Sequence, residues 1–386
     1  MTPRRIAVVT TSRADYGIYR PLLTRLEADP DVALQLIVGG MHLSRRHGDT
    51  VTEIFADGFS ISAQVRLLTD DESPRGTAES IARGVAGFAG AYTDLSPELL
   101  VVLGDRFEML AAAVAAQTFR LPIAHIHGGE LTLGALDDAF RHAITKMSHL
   151  HFAAAEDYAR RLRQMGEADW RITLSGAPGL DNLRDLDPIG EDELAGRIGM
   201  THDPAPLMVT YHPTTREPEA VAGHSAELLA ALAGAGRPLV FTAPNADPGG
   251  EVVRRAIEDF VAEQADAVLC PHLGTRAYFG LMARAAAMVG NSSSGIIEAP
   301  SFKLPVVNVG SREAGRLRAG NVIDVGEDRT AIADGIARAL ETGFCAGLAD
   351  LVNPLVRDRP AAEVIAERLV SVELDERLVN KGFADL

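Results

Sequence analysis

The feature that most constrains this chain is the way its apolar segments switch period, again and again, in a fixed order. Residues 5–11 (RIAVVTT) form a short β-branched run suited to a buried strand, and it ends in the polar turn 12–17 (SRADYG). Ile18, Leu22, Leu23 and Leu26 then recur at helical spacing, and residues 32–38 return to a strand pattern. The alternation continues through a strand at 99–103, a helix at 109–119, a strand at 123–126 and a helix at 138–147. Strands that alternate with helices are joined by crossovers, which makes an α/β chain with a parallel, doubly wound sheet. Around 175–188 (SGAPGLDNLRDLDP) the periodicity lapses while Gly, Pro and Asp accumulate, as in an interdomain connection. The alternation then restarts, with strands at 207–210, 239–242, 267–269 and 306–309 and helices at 220–232, 252–262, 278–287 and 331–340. A chain of 386 residues has room for two such domains, each with its own core. Residues 360–379 keep helical spacing in Ala362, Ile365, Leu369 and Leu374 and can pack back across either one.

Charge narrows the class of partner. With 37 basic against 53 acidic residues the net charge is -16, the wrong sign for a protein whose affinity rests on nucleic-acid phosphates. The two cysteines, Cys270 and Cys345, lie far apart and form no CxxC pair, which fits a reducing cytoplasm better than a disulfide scaffold or a cysteine metal cluster. The first apolar run is too short for a signal peptide and no 18-residue apolar stretch follows, so a cytoplasmic chain away from the membrane is expected.

In doubly wound sheets ligands bind beyond the carboxyl ends of the strands. Those ends are polar here: 12–15 (SRAD), 104–106 (GDR), 127–130 (HGGE), 211–215 (YHPTT), 244–247 (PNAD) and 291–295 (NSSSG). Ser292, Ser293 and Ser294, at a helix start, offer backbone N–H groups and hydroxyls to a phosphate, although ordinary capping accounts for the same residue types. Glu298 can accept from ribose hydroxyls or simply answer the helix dipole. Arg13, Arg106 and Arg312 stand where a guanidinium can clamp a diphosphate or make a surface ion pair. Asp105 can serve as an acid/base group, cap the next helix or pair with Arg106. Asp137 and Asp138 open the helix that holds Arg141 and His142 and read either as acid/base carboxylates or as dipole partners. His125, His127, Glu130, His142, His149 and His151 raise the question of zinc, since His-x-His on a strand puts both rings on one face. The HExxH arrangement is missing and no cysteine assists, so no metal is expected. Neither GxGxxG after the first strand nor GxxxxGK[ST] occurs, which leaves a dinucleotide fingerprint and a P-loop unsupported.

Taken in order, 11–17 (TSRADYG), 103–108 (LGDRFE), 125–130 (HIHGGE), 138–147 (DAFRHAITKM), 211–214 (YHPT), 245–247 (NAD) and 290–298 (GNSSSGIIE) resemble one family across nearly the whole chain. It is that of the hydrolysing UDP-N-acetylglucosamine 2-epimerases, above all those of bacterial sialic-acid and related nonulosonic-acid pathways. The resemblance implies a GT-B architecture: two Rossmann-like domains facing across a cleft, with a C-terminal helix crossing back to the first. The domains expected on that basis are 1–178 completed by 362–386, and 179–361. By the same resemblance the second domain holds the nucleotide, with His212 near the diphosphate, Asn245 and Asp247 near the cleft, Ser292, Ser293 and Ser294 on phosphate and Glu298 on ribose. Arg13 and Arg312 complete the anion site. The acid/base groups come mainly from the first domain, where Asp105 and Asp137 match family carboxylates and Arg106 adjoins them.

One position departs from the pattern. Many relatives carry Glu where this chain has His127, so either His127 or Glu130 must do that work, and Glu130 with His127 assisting is the reading favoured. The implied reaction inverts C2 of the sugar with loss of UDP, giving free N-acetylmannosamine by anti elimination to a glycal and syn addition of water. It requires no metal or redox cofactor. UDP-N-acetylglucosamine is the substrate expected first, with a UDP-2,4-diacetamido sugar or GDP-N-acetylglucosamine as alternatives. The resemblance also favours a homo-oligomer, a dimer or tetramer. A GT-B glycosyltransferase and a non-catalytic nucleotide-sugar sensor are the competing classes; Asp105, Glu130 and Asp137 argue for the epimerase.

Overall fold

Strand β1 (Arg4–Thr10) ends in five consecutive buried residues, and only the middle of a sheet covered on both faces accommodates such a run. A computed structural model describes residues 2–45, 49–71, 73–133, 136–184, 186–201, 203–213, 219–244, 249–271 and 273–385. In it β1 pairs in parallel with β2 (Val32–Gly39) on one side and β4 (Leu99–Leu103) on the other. With β3 (Ile61–Val65), β5 (Ile123–Ile126), β6 (Leu150–Ala153) and β7 (Ile172–Leu174) they form a seven-stranded parallel sheet of order β3-β2-β1-β4-β5-β6-β7. A second parallel sheet has six strands: β8 (Leu207–Thr210), β9 (Leu239–Thr242), β10 (Ala267–Cys270), β11 (Ala287–Gly290), β12 (Val306–Val309) and β13 (Val322–Val325). Its order is β10-β9-β8-β11-β12-β13. Each sheet therefore reverses direction of growth once, between β1 and β4 and between β8 and β11, and the loops beyond those strands are the natural ligand positions.

The chain divides into two compact units, Met1–Glu130 with Leu136–Asp185 and Leu355–Leu386, and Leu131–Ala135 with Leu186–Pro354. These crossings differ from breaks at 178 and 361. The turn Pro178–Leu183 stays with the first unit because Asn182 donates to the Gly17 carbonyl at 2.9 Å, and because Asp181 accepts from the Ala361 and Ala362 amides at 3.1 and 2.7 Å. Asp181 thereby caps the helix Ala361–Ser371, which buries Ala362, Ile365, Ala366 and Leu369 in the first core.

Three other departures have local causes. The helix expected at 278–287 ends at Met282, and Ala287 begins β11: a strand buried on both faces between β8 and β12 has no alternation to mark it among neighbouring alanines. The longest helix among the described residues, Pro74–Leu95, has a buried face made largely of the small residues Gly76, Ser80, Gly84 and Ala91; a Cβ on Gly84 would lie 2.8 Å from the Ala111 Cβ of the helix Phe107–Thr118. Strands β3, β7 and β13 are short sheet margins with partly exposed residues. No helix among the described residues is long and apolar enough to cross a membrane.

Candidate active and nucleotide sites

In the first unit the polar ends of β4 and β5 meet at one arginine. Gly104 leaves β4 with φ +75, a left-handed turn that suits glycine and presents Asp105. Asp105 is ion-paired with Arg141, which sits a turn into the helix Asp137–Met147 on its buried face with Ile144 and Thr145. Arg141 also donates to the His127 carbonyl at 2.9 Å and lies 3.8 Å from a Glu130 oxygen. The other Glu130 oxygen is 2.6 Å from His127 Nδ1. Side chains of Arg141, Glu130 and His127 are 3, 6 and 8% exposed, whereas Asp105 keeps 21%, so Asp105 is the most accessible of the four. Of the acid/base candidates, Asp105, Glu130 and His127 thus share one cluster, and Asp137 opens the helix that supplies its arginine.

Arg106 turns elsewhere: its Nε and Nη2 lie 3.2 and 3.0 Å from the two oxygens of buried Glu108. Arg13 forms a half-exposed ion pair with Glu53 at 3.2 Å. Beside it, Asp15 is buried under bonds from Thr10, the Thr11 amide and hydroxyl, and Ser12; burial raises its pKa against those bonds. The same-face placement of His125 and His127 does not hold. His125 ends within β5, but His127 follows the strand at φ +63, so the period of two no longer applies. Among the described residues no group of three His, Cys, Asp or Glu is arranged to hold a metal ion.

In the second unit Asn291, fully buried after β11, ties two strand ends together. Its side-chain oxygen accepts from the His212 amide at 2.7 Å, its side-chain nitrogen donates to the His212 carbonyl at 2.9 Å, and its own carbonyl accepts from Arg312 at 3.2 Å. Gly290, at φ +135, is required there because a Cβ would collide with the Thr210 carbonyl. Burial, reinforced by Arg312, lowers the pKa of His212 to about 3, so its imidazole is neutral near pH 7. Arg312 leans on buried Glu313 at 2.7 Å, which also meets Arg316 at 2.7 Å.

The serines follow at once. Capping explains little of them: the Ser292 hydroxyl accepts from the Ser294 amide at 3.3 Å, but Ser293, at the cap of the short helix Ser294–Ile297, makes no capping bond. Tyr278 lies close to Ser292, Ser294 and Thr210, and burial pushes its hydroxyl up to about 12. Glu298 lies beside Ser294, yet its buried Oε2 has no hydrogen-bond partner among the described residues, and burial raises its pKa to about 7. A buried carboxylate oxygen without a donor carries a desolvation cost. Asn245 and Asp247 lie outside the described residues.

Sequence reasoning gave no role to Arg141, Asn291 or Tyr278. Arg141 carried one signal, a cation at the spacing of Ile144 and Thr145 on an apolar helix face; Asn291 stood only at the head of the segment 291–295 and Tyr278 only at the start of the helix expected at 278–287.

Comparison with known proteins bears on the whole chain. A family model described as UDP-N-acetylglucosamine 2-epimerase matches residues 24–369. A Legionella pneumophila protein named UDP-N,N'-diacetylbacillosamine 2-epimerase (hydrolyzing) is 39% identical over 337 residues, 87% of this chain and 89% of the relative. A Neisseria meningitidis protein named UDP-N-acetylglucosamine 2-epimerase is 32% identical over 342 residues, 88% of each. The solved structure of a UDP-GlcNAc 2-epimerase from Neisseria meningitidis bound to UDP-GlcNAc matches the fold with a TM-score of 0.81 at 18% identity, covering 95% of this chain and 100% of that one.

Proposed function

Since the chain belongs to the UDP-N-acetylglucosamine 2-epimerase family and has its GT-B type of fold with two Rossmann-like sheets, we propose that it is a hydrolysing 2-epimerase of a UDP-linked 2-acetamido sugar. The Arg141-centred cluster supports this most directly, because it brings Asp105 and the His127–Glu130 pair to one guanidinium. Inversion at C2 begins when a base takes the C2 proton; the C–H electron pair becomes the C1=C2 bond and the C1–O bond breaks, releasing UDP. Water then adds its oxygen to C1 while a proton returns to C2 on the opposite face. Two proton-transfer groups are therefore needed.

Asp105, the accessible carboxylate, is one. For the other, the geometry favours His127: Glu130 takes the proton-bearing Nδ1, leaving Nε2 as the nitrogen through which a proton passes, so Glu130 fixes the ring's tautomer. Asp137, opening the Arg141 helix, assists as a third carboxylate. In the second unit Arg312 supplies positive charge to the leaving diphosphate, while neutral His212 and the hydroxyls of Ser292, Ser293 and Ser294 supply hydrogen bonds. Glu298 receives the ribose hydroxyls at its unpartnered oxygen. Arg13, Asn245 and Asp247 join the nucleotide contacts by resemblance, and Arg106 supports the first unit through Glu108.

The 39% identical relative named for a diacetamido sugar, against 32% for one named for UDP-N-acetylglucosamine, makes a UDP-2,4-diacetamido sugar the first substrate to offer and UDP-N-acetylglucosamine the second. Incubation with each in D2O, followed by proton NMR, should yield UDP and a free sugar carrying deuterium at C2. Release of the sugar without deuterium would contradict the C2 chemistry.

A further inference from the structure

His125 is fully buried at the end of β5 and has no part in the chemistry above. Both of its ring nitrogens are nonetheless engaged. Nε2 lies 2.7 Å from the Gly104 carbonyl oxygen, and a carbonyl can only accept, so Nε2 carries the proton. Nδ1 is then the acceptor for the Thr145 hydroxyl at 3.2 Å. What matters is what adjoins each end. Gly104 immediately precedes Asp105, and Thr145 follows Arg141 by one turn on the same helix face. A single rigid ring thus spans from the backbone that presents Asp105 to the helix that presents its ion-pair partner. Gly128 keeps the space open, since a Cβ there would lie 3.0 Å from Nδ1 and 3.2 Å from the Thr145 hydroxyl. Burial lowers the His125 pKa to about 3, so the ring stays neutral and bridges without carrying charge.

We infer that His125 is a positioning residue: its imidazole sets the separation of the Gly104–Asp105 turn from the Arg141 helix, and through Arg141 the placement of Glu130, without meeting substrate. The inference rests on the reading that Asp105 and the His127–Glu130 pair move protons. An apolar side chain of similar size fills the same space but holds neither end. A misplacement of about 1 Å in such a cluster costs on the order of 100-fold in rate.

The test compares His125→Leu, His125→Gln and Thr145→Val with the parent enzyme on whichever sugar nucleotide it hydrolyses. His125→Leu should lower kcat by about 100-fold while KM and UDP affinity stay within about twofold. His125→Gln, whose amide nitrogen can reach the Gly104 carbonyl, should recover at least half of that loss on a logarithmic scale. Thr145→Val keeps the packing and removes one bond, so it should fold even where His125→Leu does not and should lower kcat by about fivefold. Unchanged kcat in Thr145→Val, a Gln variant no better than Leu, or kcat, KM and UDP affinity falling together would overturn the assignment. A readout independent of turnover is the Arg141 side-chain N–H resonance in arginine-labelled protein, identified by its loss in Arg141→Lys. It should shift in His125→Leu and in Thr145→Val, and an unmoved resonance contradicts the inference. A parent protein that hydrolyses none of the sugar nucleotides would refute the functional reading, while the resonance still decides the positioning role.

Discussion

In the first unit several polar side chains beyond the strand ends meet one another: Arg141 meets Asp105 and the His127 carbonyl, Glu130 meets His127, and Asp15 meets Thr10, Thr11 and Ser12. In the second unit the same kinds of residue gather and stop short. Tyr278 lies close to Ser292 and Ser294, and Glu298 close to Ser294, yet a buried oxygen of Glu298 is left over. The difference separates two tasks. On the proposed function, groups that move protons need their orientation and tautomer set before substrate arrives, and the Asp105–Arg141 and His127–Glu130 pairs set them. On the same proposal, groups that hold a ligand need capacity that the ligand completes, and the buried Glu298 oxygen offers it.

The contrast can be broken most forcefully at Arg141. Arg141→Leu removes the common partner of Asp105 and Glu130 and leaves carboxylates without their cation in a nearly buried cluster. Breaking such a pair costs about 3 to 5 kcal/mol, so denaturant unfolding should show a large loss of stability together with loss of turnover. If the variant is as stable as the parent, the cluster is not the ion-paired network described.

Smaller effects are expected in the second unit. Glu298→Gln should weaken UDP binding by about tenfold, the worth of a hydrogen bond to a charged acceptor, without a comparable change in stability. pH sharpens this further. The Glu298 pKa of about 7 lies above its ordinary value of 4.5, so the folded protein holds this proton more tightly than the unfolded chain. Its contribution to stability is present below the unfolded value and is lost as pH rises from there through about 7. Ribose hydroxyls favour the ionised form, so UDP affinity should rise across the same window. Both slopes should flatten in Glu298→Gln, read by calorimetry against the parent to remove the titration of UDP itself. Equal slopes in the two proteins would remove Glu298 from the ribose contact.

Much of the fold was legible because buried parallel strands leave contiguous apolar runs, as at 6–9 and 99–103, and helices between them keep a 3.6-residue stripe. Elements became illegible where burial erased contrast. Ala287–Gly290 is central to its sheet and sits in an alanine-rich stretch, and Pro74–Leu95 buries small residues, Gly76, Ser80 and Gly84, along the first half of its inner face. The candidate site divides in a similar way. Asp105, Glu130, Glu298 and the serines are visible because strand ends in this topology face ligands. Arg141 and His125 are not, since their importance lies in what they join, Asp105 to Glu130 and Gly104 to Thr145, over separations of tens of residues that no local pattern records.

The division of labour between the units is tested most directly by measuring UDP affinity and turnover on two variants side by side. Asp105→Asn should lose about 1,000-fold in kcat, within the range of a single acid/base group, and keep its UDP affinity within about twofold. Glu298→Gln should lose UDP affinity while kcat at saturating substrate changes much less. If instead Asp105→Asn loses UDP affinity in proportion to turnover, proton transfer and nucleotide holding are not separated as described.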